Sequence, residues 1–241
     1  MRLLLPASVS EARECLARGA VPIGGATLVW AAWQQDGFPE LAVSLRHVPE
    51  ANVVSPESLG SAVILGQIDD RVPGVLRRAA GTVGTGAVRR TATVGGNIVG
   101  SSLRCLLPAA LALDARATVL EPDGVFRTDL AEVVAKRKVL LSLEWRKPVA
   151  DGYRKLPAEA GGPPPFVVAV AVHAGEDGHG RRLRVAVRDG YEVHCADVPC
   201  GTDAERVLAA VETQVADGLA PAAREAVREQ VTEVQARSGR S

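Results

Sequence analysis

The 241-residue sequence has no Gly-Lys pair, no Cys-x-x-Cys, no long apolar run and no net charge. Each absence removes a class of function. A P-loop requires Gly-Lys-Ser/Thr, so that mode of nucleotide binding is excluded. Four cysteines, Cys15, Cys105, Cys195 and Cys200, show no metal-ligand spacing and read as free thiols of a reducing cytoplasm. Four scattered histidines add no metal site. No Ser-His-Asp, Cys-His or paired-carboxylate constellation is legible, which argues against a hydrolase. The opening Met-Arg-Leu-Leu-Leu is cut short by Pro6, so no secretory leader is expected. No apolar stretch approaches membrane-spanning length. A formal charge of +0 gives no reason to expect nucleic acid or an anionic membrane as partner.

What remains is a chain with the 47% hydrophobic and 23% charged content of an ordinary folded protein. Its most unusual stretch runs from Gly81 to Ala115. Six glycines fall between Gly81 and Gly100, among Thr, Ser, Val and Arg. Glycine permits positive φ and close approach of backbone to a ligand. Successive free N–H groups in such a loop would cradle an anion, and Arg89-Arg90 adds positive charge. The stretch is expected to be a loop leading into a buried helix, Leu106–Leu113. It is not a Rossmann fingerprint, because Gly84-Thr-Gly86-Ala-Val is followed by Arg89. Tight turns or bulges in a β-rich domain remain the competing reading. A second glycine pair, Gly24-Gly25, stands between a short strand (Val21–Ile23) and a helix start.

Elsewhere Ser8-x-x-Glu11 and Asp129-x-x-Glu132 have the spacing of helix caps. Gly19 stops the first helix. A helix over about Thr27–Gln34 carries Trp30 and Trp33, expected in a core or an interface. Short strands are expected at Leu41–Leu45, Val53-Val54 and Ala62–Leu65, and a helix at Val72–Ala80. Pro122-Asp-Gly124 reads as a hairpin turn, followed by a helix near Asp129–Ala135 and a strand at Val139–Trp145. Arg146–Gly152 has the composition of a domain boundary. Beyond it, Phe166–His173, Leu183–Arg188 and Glu192–Cys195 predict a three-stranded antiparallel sheet. A turn is expected at Gly175–Gly180, a helix capped by Thr202, and a last helix opened by Pro221.

Val88–Ile98 (VRRTATVGGNI) and Pro22–Leu28 (PIGGATL) together resemble the FAD-binding medium subunits of molybdenum hydroxylases, the family of carbon monoxide and xanthine dehydrogenases. Leu111–Ala115 (LALDA) and Tyr153-Arg-Lys155 extend the likeness over most of the chain. The resemblance implies an α+β fold: a two-subdomain PCMH-type FAD-binding domain at 1–150 (subdomains about 1–50 and 51–150), then a smaller α+β domain at 151–241. It implies FAD as cofactor, with the pyrophosphate on Ile23, Gly24, Gly25, Ala26, Thr27 and Leu28 and on Thr93, Val94, Gly95, Gly96 and Asn97. Thr85 and Ser102 would add polar contacts, and Tyr153 and Lys155 would enter nearer the ring, the alternative being an ordinary strand pair. The family's Asp beside the ribityl chain falls at about Cys105, and its Asn after Arg is Arg90. Iron–sulfur and molybdopterin subunits and a small-molecule electron acceptor are the implied partners. A free-standing flavoenzyme and a scaffold without flavin are the rival roles.

Overall fold

The computed structural model describes residues 1–157, 161–175, 180–201 and 203–239. In chain order the elements are β1 (Arg2–Leu4), α1 (Val9–Ala17), β2 (Val21–Pro22), α2 (Val29–Asp36), β3 (Leu41–Val43), β4 (Val54–Ser55), β5 (Ser58–Gly60), α3 (Gly74–Gly81), α4 (Gly86–Arg89) and α5 (Leu107–Ala112). They continue as β6 (Arg116–Glu121), β7 (Gly124–Thr128), α6 (Leu130–Lys136), β8 (Val139–Glu144), β9 (Ala150–Lys155), β10 (Val167–Ala174), β11 (Arg181–Asp189), β12 (Glu192–Pro199), α7 (Ala204–Val215) and α8 (Pro221–Ser238). Two compact units emerge, each built from separate stretches. The first comprises 1–72, 83–106 and 115–145; the second comprises 73–82, 107–114 and 146–241.

Local chemistry accounts for most starts and stops in the first unit. Ser8 Oγ accepts the Glu11 N–H at 3.2 Å and opens α1, and Gly19 at φ +77° closes it. Asp129 Oδ1 accepts the Glu132 N–H at 2.7 Å and opens α6. These contacts satisfy donors that a helix leaves without partners. Strands β1, β3 and β2 form a parallel sheet in that order. A second, antiparallel sheet runs β4-β5-β8-β6-β7. Ala12, Leu45, Val48, Ala51, Leu120 and Leu141 form a buried cluster between α1 and this sheet. Ala62–Leu65, expected as a strand, forms only an isolated bridge, Ile64 to Thr93. Trp30 is not in a core: it is 49% exposed, and α2 buries no residue. Both indoles instead meet Phe38 edge-on, with centroids 5.2 and 6.2 Å apart.

In the second unit the antiparallel sheet has four strands, β12-β11-β10-β9, where three were expected. The extra strand, β9, begins within the stretch whose composition suggested a boundary. Gly152 explains the disguise. A Cβ there would meet Gln230 Nε2 at 2.2 Å and Val234 Cγ2 at 2.5 Å, so the glycine admits α8 against the strand rather than loosening a linker. Val168, Val170 and Val172 of β10 pack with Val207 and Val211 of α7 and Val227, Val231 and Val234 of α8. Tyr153, Ala169 and Ala186 share the opposite face by register. On that face α3 and α5 sit over small side chains. His173 Nε2 lies 2.9 Å from the Ala112 carbonyl at the end of α5. Strand β10 is thus covered on both faces, and Val167 to Val172 are fully buried. Asp203 caps α7 by accepting the Arg206 N–H at 3.1 Å. Thr202, His179 and most of the expected Gly175–Gly180 turn lie outside the described residues.

Candidate functional site

The first glycine stretch joins β2 to α2. It is tied at one end by the Ile23 N–H, which donates to the Val43 carbonyl at 2.8 Å. Beyond that tie, the N–H groups of Gly24, Gly25, Ala26, Thr27 and Leu28 have no hydrogen-bond partner among the described residues. Ala26 stands at φ +57°, a left-handed conformation that costs a residue with a Cβ. Backbone N–H groups rarely go unpaired in a folded chain unless water or a ligand takes them. Five in a row, at the entrance to a helix whose dipole favours negative charge, are donors of the kind an anion takes up.

The second glycine stretch is not the open loop expected from sequence. Thr85 Oγ1 accepts the Val88 N–H at 3.3 Å and caps the short helix α4. Gly96–Gly100 then forms a π-helical turn. Four donors before and at its start are already engaged. Val94 N–H reaches Val63 O at 3.0 Å, Gly95 N–H reaches Ser61 O at 2.8 Å, and Asn97 N–H reaches Thr93 O at 2.9 Å. Gly96 N–H donates to Thr93 Oγ1 at 3.2 Å. The free donor row therefore lies in the first stretch. The second supplies its wall.

The two stretches touch. A Cβ on Gly24 would meet Thr93 Oγ1 at 2.3 Å, and one on Gly25 would meet the Thr91 carbonyl oxygen at 1.7 Å. These glycines are required by a neighbouring segment of chain and not only by a ligand. Gly95 is similarly confined, with Ser61 Cβ at 3.0 Å. Asn97 is buried, and its Oδ1 accepts the Leu106 N–H at 2.9 Å, which closes the loop between them. Ser102 is exposed on that loop and Cys105 is buried within it. Tyr153 and Lys155 belong to the second unit. They stand on one face of β9 and converge on the residue that ends α3. Tyr153 Oη is 3.1 Å from Thr82 Oγ1, and Lys155 Nζ donates to the Thr82 carbonyl at 2.9 Å. Sequence reasoning named Ala26 as a site residue without foreseeing its left-handed backbone, and it missed the acceptor carbonyls of Ser61 and Val63, and Thr82, which carry no signal in the sequence.

Paired loops of this kind, one with a row of free N–H groups and the other with tightly packed glycine and threonine, suit a phosphate-bearing cofactor. Residues 1–142 match the family described as the FAD binding domain in molybdopterin dehydrogenase. The match spans more than half of the chain, and the protein belongs to that family, with FAD as its cofactor. No curated protein sequence matches it. Solved structures of similar fold include quinoline 2-oxidoreductase from Pseudomonas putida 86, at 19% identity and TM-score 0.71 over 99% of this chain and 98% of that one. Reconstituted CO dehydrogenase from Oligotropha carboxidovorans is similar at 17% identity and TM-score 0.73, over 98% of each chain. Carbon monoxide dehydrogenase from Hydrogenophaga pseudoflava is similar at 16% identity and TM-score 0.71, again over 98% of each.

The residues present fit FAD. A dinucleotide carries a pyrophosphate, and the five free N–H groups of Gly24–Leu28 are donors without acceptors. When bound, FAD supplies the redox chemistry, and the chain supplies binding and orientation. No group of His, Cys, Asp or Glu able to hold a metal occurs among the described residues. No helix among them is long and apolar enough to cross a membrane.

Proposed function

We propose that the chain is the FAD-bearing component of a multisubunit oxidoreductase of the molybdenum-hydroxylase type. It carries electrons between a partner redox subunit, holding iron–sulfur and molybdopterin centres, and a small-molecule acceptor. The observation that carries this reading is the row of free N–H groups at Gly24–Leu28, backed by the Thr91–Thr93 wall, in a chain of this family. Gly24–Leu28, reached from Ile23, are assigned to the pyrophosphate, and Thr93–Asn97, whose N–H groups are engaged within the chain, are assigned as the wall that holds that stretch in place. Thr85, Ser102, Cys105, Tyr153 and Lys155 are assigned more peripheral roles, because Thr85, Tyr153 and Lys155 already make structural contacts. The work is placed in the cytoplasm, where the free thiols stay reduced.

Purified protein should show flavin absorbance and release FAD, not FMN, on denaturation. FMN alone would remove the pyrophosphate argument. The electron-transfer role is tested by co-purification from the native source. Iron–sulfur and molybdopterin subunits should accompany the chain, and substrate added to that complex should bleach its flavin. A flavin in the isolated chain that a substrate reduces without any partner would instead favour a free-standing flavoenzyme.

A further inference from the structure

Between the π-helical turn and α5 the chain makes a short loop that is held at both ends. Ser101 N–H donates to the Gly96 carbonyl at 3.0 Å, and Leu106 N–H donates to Asn97 Oδ1 at 2.9 Å. Within it, Ser101 Oγ accepts the Leu103 N–H at 3.2 Å. Arg104 is the residue the loop does not accommodate. It stands at φ +40°, where a side chain is disfavoured. Its Nε is buried without a hydrogen-bond partner. No carboxylate pairs with it among the described residues, although the chain carries as many acidic as basic residues.

Three departures from ordinary structure lie close together in the chain here: a π-turn, a left-handed residue with a side chain, and a half-buried arginine whose Nε is buried without a partner. π-Turns and strained backbone concentrate at functional sites. An arginine serving only to hold the loop would spend its donors on the loop's own carbonyls, as Arg89 does with Val83 and Gly84. We propose that Arg104 is a cofactor-reading residue whose guanidinium donates to an oxygen of FAD. The matching acceptor is a charged or strongly polar oxygen, which FAD offers both in its pyrophosphate and along the carbonyl edge of its ring. A guanidinium is permanently charged and forms strong charge-assisted bonds to such oxygens. The inference rests on FAD binding to this chain.

The test uses the full chain, stripped of flavin. FAD is titrated into wild type, Arg104→Gly and Arg104→Lys, and the flavin-free proteins are melted in parallel. Glycine accepts φ +40° without strain, so Arg104→Gly should melt higher than wild type. It should also bind FAD about tenfold or more weakly, the loss expected for a charge-assisted bond. Arg104→Lys should fall between the two in affinity. A higher melting temperature with unchanged FAD affinity would make Arg104 a strained loop residue and nothing more, and would overturn the inference. Should Arg104→Gly fail to fold, Arg104→Gln carries the same comparison, and wild-type affinity in that variant overturns the inference equally. Failure of wild type to bind FAD at all overturns the underlying reading as well. ADP and riboflavin locate the oxygen: a loss shared by ADP assigns a phosphate, and one shared by riboflavin assigns the ring.

Discussion

At the scale of single residues, the glycines of the site are defined by what lies against them. Gly24→Ala places a methyl on Thr93 Oγ1, at 2.3 Å before any adjustment. Overpacking of this kind costs about 1–3 kcal/mol. Thr93→Ala removes the colliding atom, so the double variant should be more stable than the sum of the two single changes implies, measured as a double-mutant cycle in denaturant. Gly25→Ala has no such rescue, because it meets the Thr91 backbone oxygen. That variant should lose FAD binding whatever side chain stands at 93. Glu132 gives a pH prediction. Hydrogen bonds from Thr128, Lys136 and Lys138 hold its carboxyl at about 2, against an ordinary 4.5. The lowered value means that the stabilisation is complete above pH 4.5 and disappears as pH falls from 4.5 towards 2. Glu132→Gln should flatten the stability profile over that window. Parallel acid-unfolding curves for the variant and wild type would refute the assignment.

At the scale of elements, the end of α3 shows how a residue pair that resembles a cofactor motif also has a structural task. Lys155 places an ammonium on the Thr82 carbonyl, at the negative end of the helix, and Tyr153 meets the Thr82 hydroxyl. Lys155→Met keeps most of the stem and removes the charge. It should lower stability by about 1 kcal/mol, the usual worth of such a bond, read by chemical denaturation. No change would mean that the ammonium works elsewhere. Asp151, on the same strand, holds the same helix from its other end, accepting from the Gly74 N–H at 3.1 Å and from Arg78 at 2.6 Å. One edge strand therefore grips both ends of α3.

At the scale of the whole molecule, α3 and α5 lie in sequence among the stretches of the first unit yet belong to the second. Val75, Leu76, Ala79 and Ala80 of α3 are buried, as are Ala109, Ala110 and Ala112 of α5. A fragment ending at residue 145 would expose those surfaces, because strands β9 to β12 would be gone. We expect that fragment to lack a cooperative melt and to aggregate, while the full chain melts cooperatively. A fragment that folded and bound FAD alone would show that the first unit needs nothing from the rest.

Local chemistry determined much of this in the sequence itself. Caps at Ser8 and Asp129, the Pro122-Asp-Gly124 turn and the alternation of β11 and β12 around Asp189-Gly190 were legible because each depends on residues a few positions apart. The two glycine stretches, their partnership and the family likeness were legible as motifs. Tertiary structure alone decided the rest. Gly152 read as a linker because the residues that require it, Gln230 and Val234, are remote in sequence. The open loop expected at Thr93–Asn97 is closed because its donors meet Ser61 and Val63, which no spacing rule connects to it. The free donors at Gly24–Leu28 and the strained Arg104 could not be read beforehand. Whether an N–H or a guanidinium has a partner is settled only when distant segments are brought together and every acceptor within reach has been taken.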